Sequence, residues 1–147
     1  MAGREDLEEL RFPFGDGGCF GCSASNAAGL NLRFFRSGEQ VVGNYSVADR
    51  FHGAPGIAHG GIVATILDEF SCAAAVFLEN VRVVTGELAI RYEHPCPVDR
   101  KLEIRARVAS REHARYLVIE AEIHCDGRRV VRSTGKFFPQ PIAQPVP

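Results

Sequence analysis

Asp68 and Glu69 are carboxylates set inside a run, Ile62 to Leu78, that is otherwise mostly apolar. Burying a carboxylate is costly unless it is paired or put to use. A use would be proton transfer with water or attack on an electrophile. Nine positions before Asp68 stands His59, followed by Gly60 and Gly61. Two glycines are a poor way to begin a helix. Their missing side chains let a ligand come close to the free N–H groups of a first helical turn. Those donors, at the positive end of the helix dipole, suit an anion or a polarised carbonyl oxygen.

The spacing constrains how these groups cooperate. At about 100° and 1.5 Å per residue, His59 and Asp68 face opposite ways and lie ~13 Å apart along one helix. A single helix cannot bring both to one substrate atom. If they act together, Asp68 of one subunit must meet the Gly60-Gly61 end of another, and a two-fold dimer would carry two such sites. Thr65, Asp68 and Cys72 share one stripe and would line such a site. Glu69 lies at its edge and reads by itself as a salt-bridged or water-facing residue.

The elements that must position these residues follow from periodicity. Residues 59 to about 79 read as the one long helix. Ile62, Ile66, Phe70, Ala73 and Phe77 form a buried stripe, and Val63, Leu67, Ala74 and Leu78 form a second beside it. A helix apolar over so much of its surface is central. Leu30, Leu32 and Phe34 alternate with polar residues and pair, across Ser37-Gly38, with a second strand from Gln40 to Val47. After the helix, segments 81–92, 101–110, 116–125 and 129–138 read as strands, with Asp126-Gly127 a strong hairpin signal. The expected architecture is α+β: a curved antiparallel sheet of about six strands wrapped around one long helix. Residues 3 to 11 could add a short amphipathic helix carrying Leu7 and Leu10. The chain is expected to be a single domain over 1–147, with a core of about 19–138 and a proline-rich tail from 139 to 147.

Composition excludes several classes. The 147 residues are 46% hydrophobic and 24% charged, with a net charge of −1. That balance argues against nucleic acid as a partner. No run reaches the ~18 to 20 consecutive apolar residues of a membrane span. The acidic opening MAGREDLEEL is unlike a signal peptide, so a cytoplasmic location is expected. The arginines at 105, 107, 111, 115, 128, 129 and 132 mostly alternate with apolar residues and read as a solvated face. Five cysteines without framework spacing imply reduced thiols. Cys19-Phe20-Gly21-Cys22 lacks a second close ligand pair, so no metal is expected there and a tight turn is the reading.

The segment Phe51 to Glu69 resembles the HGG-containing stretch of hotdog-fold thioesterases, in particular the phenylacetate-pathway (PaaI-type) acyl-CoA thioesterases. Cys19 to Leu30 is similar to that branch's N-terminal signature, and Thr85 to Pro97 to its strand after the helix. The resemblance spans roughly residues 19–138. It implies a hotdog fold, hydrolysis of an acyl-CoA-type thioester, no cofactor beyond the coenzyme A of the substrate, and a homo-oligomer (dimer or tetramer) with active sites at the dimer interface. The Gly61 N–H, with Gly60, would polarise the thioester carbonyl. Asp68 would be general base or nucleophile, Thr85 would orient water, and His59 would shape the turn. The branch carries Gln where this chain has His52, whose ring assists a carbonyl only in the right tautomer or charge state. The alternative activities are a non-catalytic acyl-CoA-binding or ligand-sensing module, which the same fold supports, and a hotdog hydratase.

Overall fold

The apolar pattern of the central segment produces α1, Gly60–Glu79. His59 caps its start, and Asn80 ends it in the left-handed region at φ 56, a conformation asparagine tolerates better than most residues. Ile66, Phe70 and Ala73 of the first expected stripe are fully buried, as are Val63, Leu67 and Ala74 of the second. Ile62, Phe77 and Leu78, near the helix ends, are half-buried. In length and mean hydropathy (1.7) α1 could cross a membrane. Here one side of it packs on the sheet, and 44% of that apolar stretch is buried inside the protein. The computed structural model describes residues 7–13 and 17–141.

Seven strands form one sheet: β1 Glu9–Leu10, β2 Phe34–Ser37, β3 Gln40–Ser46, β4 Arg82–Tyr92, β5 Lys101–Ser110, β6 Leu117–Cys125 and β7 Arg128–Gln140. Their order is β1-β2-β3-β5-β6-β7-β4, with each neighbouring pair antiparallel. α1 packs across β3, β5, β6, β7 and β4. Strict alternation decides which face it meets. Leu102, Ile104 and Ala106 of β5 and Ile119, Ala121 and Ile123 of β6 are buried. The register sets Ile104 opposite Ile123 and Ala106 opposite Ala121. A ring such as Phe70, fully buried between helix and sheet, contributes about 1.5–3 kcal/mol. This is the hotdog arrangement: one helix held by a curved antiparallel sheet.

Three expectations at the chain's margins differ. The helix expected over 3–11 is replaced at Glu9–Leu10 by a two-residue strand paired with Phe34 and Phe35; residues 3–6 lie outside the described residues. A helix of two turns is marginal alone, whereas the edge of β2 offers ready backbone partners. This is the seventh strand, beyond the six expected. Leu30, Leu32 and Phe34 do share the buried face, but pairing with β3 begins only at Phe35, and Phe34 pairs with Leu10 of β1. At the other end β7 continues to Gln140, into the stretch read as tail; residues 142–147 lie outside the described residues. The Asp126-Gly127 turn has positive φ at both residues (51 and 77), the geometry that matches the twist of a two-residue hairpin.

Candidate active site

At the start of α1 the loop before it folds back, with the His59 N–H bonded to the Phe51 carbonyl and an isolated bridge joining His52 to Ala58. His59 Nδ1 accepts the Gly61 N–H at 2.9 Å. A Cβ at Gly61 would stand 3.2 Å from that nitrogen, so glycine permits the ring to close over the turn. The Ile62 and Val63 N–H groups both reach the His59 carbonyl. The Gly60 N–H is left without a partner among the described residues. Tyr92, the last residue of β4, donates its hydroxyl to the Gly60 carbonyl at 2.7 Å and fixes the helix start to the sheet edge. Nothing in the sequence singled out Tyr92, because its role depends on a contact 32 residues away.

Two turns further on, Asp68 is half-buried on the α1 face that looks towards β4. Its Oδ1 accepts the Thr85 hydroxyl at 2.6 Å. Cys72 Sγ lies 3.7 Å from the same hydroxyl. Among the described residues no lysine, arginine or histidine pairs with Asp68, and Oδ2 has no hydrogen-bond partner. An ordinary surface ion pair therefore does not explain this carboxylate. Thr85 sits just before a bulge at Gly86, where the register shifts between Thr85 and Glu87. A threonine that gives its proton to Asp68 can still accept from a water. Burial, reinforced by the Asp68 charge, pushes the Cys72 thiol up to about 12.

His52 is exposed, with Nδ1 2.6 Å from the Asp49 carbonyl oxygen. A carbonyl only accepts, so Nδ1 carries the proton and the neutral ring presents Nε2 as an acceptor. Only protonated His52 could donate to a second carbonyl from Nε2.

Glu69 departs from its expected role. It forms no ion pair among the described residues; it is half-buried against the Cys19–Cys22 loop. Cys19 Sγ donates to Glu69 Oε1 at 3.5 Å. Burial raises the Glu69 carboxyl, a shift only partly opposed by hydrogen bonds from Cys19 and Cys22. Burial and the Glu69 charge raise the Cys22 thiol in turn. Of the strand-borne arginines, Arg105, Arg107, Arg129 and Arg132 lie on the face of the sheet turned away from α1. There they surround a cavity of about 300 Å³ together with Glu120 and Glu122. Arg107 is tied to Glu120 at 2.6 Å, and Arg129 to Glu93 at 2.6 Å.

One helix thus carries a donor-bearing end and, two turns on, an uncompensated carboxylate held by a threonine. A similar arrangement of elements occurs in known proteins. The model of the thioesterase superfamily matches residues 55–132, which run from the loop before α1 to the middle of β7. A thioesterase superfamily protein of known crystal structure is 26% identical with a TM-score of 0.70 over 78% of this chain, which spans only 56% of that protein's length. A hypothetical thioesterase from Streptococcus pneumoniae, crystallised with coenzyme A, is 25% identical with a TM-score of 0.65, covering 69% of this chain and 82% of its own. Variants of that protein with an aspartate or a threonine replaced by alanine have also been crystallised. A phenylacetic acid degradation-related protein from Ralstonia eutropha shares the fold at 20% identity, with a TM-score of 0.65 over 74% of this chain and 85% of its own. Among curated protein sequences none matches. With more than half its length matched by that model, the chain belongs to the thioesterase superfamily.

Proposed function

We propose that this protein hydrolyses acyl-CoA-type thioesters to the free acid and CoA, within the HGG-containing, phenylacetate-pathway-like branch of its superfamily, and works in the cytoplasm. The observation that carries this reading is Asp68: a half-buried carboxylate without a cationic partner, its Oδ1 held by Thr85 and its Oδ2 open. Oδ2 either takes a proton from the attacking water or attacks the thioester itself, and Thr85 holds the carboxylate in line for both. The CoA-bound relative supports the ligand class. The reaction needs no cofactor, since coenzyme A arrives as part of the substrate.

The thioester carbonyl is polarised by the start of α1 from the partner subunit. Gly61 is the expected donor, but its N–H is engaged by His59. The donor in place is therefore the Gly60 N–H, and Gly61 joins only if the His59 ring swings away. The composite site requires a homo-oligomer. β4 ends the sheet, with Val84 and Tyr92 exposed along it, and so offers an edge on which a second copy can pair.

Thiol release from short, medium, long and aryl acyl-CoAs, with a substrate-free control for the five native cysteines, tests the reading. Turnover with at least one chain class supports it. Tight binding of acyl-CoA with no turnover of any would replace it with the ligand-sensing module.

A further inference from the structure

The Cys19–Cys22 turn and Glu69 are separated by about fifty positions in sequence yet converge in space. Cys19 Sγ, Cys22 Sγ and a Glu69 carboxylate oxygen all lie within 4.8 Å of one another. Three details show that the convergence is built. The loop is anchored through backbone bonds from Ser23 N–H to Cys19 O, Leu30 N–H to Phe20 O and Leu32 N–H to Gly21 O. The Gly21 N–H points at Cys19 Sγ, at 3.3 Å, a contact that stabilises a thiolate. Gly21 is also what admits the carboxylate, since a Cβ there would meet Glu69 Cγ at 2.2 Å.

From this geometry we propose that Cys19, Cys22 and Glu69 form a metal site for a thiophilic divalent cation, zinc in particular. Two thiolates and a carboxylate are a donor set that zinc accepts, with water completing the tetrahedron. With Zn–S near 2.3 Å and Zn–O near 2.0 Å, a tetrahedral S···O edge is about 3.5 Å. The Cys19 Sγ to Glu69 Oε1 separation is 3.5 Å. Binding displaces the two thiol protons to solvent, leaving a site of net charge −1 in place of a lone carboxylate. No lysine, arginine or histidine among the described residues reaches Glu69 to serve as an alternative counter-charge. The metal would clamp the loop to α1 one residue from Asp68. This site stands apart from the hydrolytic reading, and its test reads metal binding rather than turnover.

Reduced, chelator-stripped protein is titrated with Co(II) and then with Zn(II). The expected result is a thiolate-to-cobalt charge-transfer band with tetrahedral d–d bands, saturating at one cobalt per chain and abolished by zinc. Glu69→Gln should weaken binding by about 10²-fold, in the range that altered metal shells produce. Zinc should protect Cys19 and Cys22 of the wild-type protein from alkylation, a readout that does not depend on any variant folding. Absence of the cobalt bands overturns the proposal. So does a spectrum unchanged in Cys22→Ser, or ready formation of a Cys19–Cys22 disulfide in a protein that binds no metal, which would make the pair a redox couple.

Discussion

At the scale of single residues, Asp68 stands out as a candidate in the sequence because a carboxylate in a largely apolar helix lies nine positions after the His59-Gly60-Gly61 opening. Its partner Thr85 was reached only through resemblance, since no local pattern marks a threonine at the start of a strand. The 2.6 Å bond between them yields a graded expectation. Thr85→Ala removes a hydrogen bond to a charged group, worth about 1.5–3 kcal/mol, and should lower kcat roughly 10- to 100-fold. Thr85→Ser should recover most of that loss, and steady-state kinetics on both variants decide the point. Cys72 is close enough to be mistaken for the nucleophile. With its thiol pushed up to about 12, only about one part in 10⁴ is thiolate at pH 8. Cys72→Ala should therefore hydrolyse thioester at the wild-type level. Asp68→Asn removes a charge that holds the thiol up, so alkylation of Cys72 should become faster in that variant, as mass spectrometry after timed labelling would reveal. Glu69 was misread because its neighbours, Cys19 and Cys22, approach from a distant loop that the periodicity of α1 does not announce.

Among the elements, the helix and the long strands were readable because each carries a clean period over eight residues or more. The two-residue β1 was not. Its existence depends on the free edge of β2, and nothing within Glu9–Leu10 encodes that edge. The fit of helix to sheet was equally invisible, and Gly43 is one place where it is tight. A Cβ at Gly43 would meet the Arg33 carbonyl oxygen at 2.6 Å and Phe70 Cζ at 2.7 Å. Gly43→Ala therefore overpacks the seam between β3 and α1 and should cost about 1–3 kcal/mol, measured by chemical denaturation. Gly60 sits at the first helical position, where proline is accommodated, and the extended ψ of 133° at His59 suits a following proline. Gly60→Pro thus removes one N–H with little disturbance of α1. If that N–H polarises the thioester carbonyl, kcat should fall by about 10²–10³ while the far-UV circular dichroism stays unchanged.

For the whole molecule, helical geometry alone separates the two halves of the chemistry along α1, and this was legible from the nine-residue spacing of His59 and Asp68. The geometry then demands a second subunit, whose arrangement the sequence does not encode. Hybrid dimers offer the corresponding test. Gly60→Pro and Asp68→Asn chains, each inactive by itself, should regain turnover when refolded together, because one of the two sites in the hybrid draws both intact groups. No recovery would mean that a single chain holds the complete site. Beneath all of this lies the claim that Asp68 drives thioester hydrolysis. The most direct measurement compares wild type with Asp68→Asn on the best acyl-CoA substrate, following thiol release at matched folding and oligomeric state. If Asp68 drives hydrolysis, kcat falls by about 10² or more with KM little changed; an Asp68→Asn enzyme that turns over like wild type would rule Asp68 out as the catalytic carboxylate.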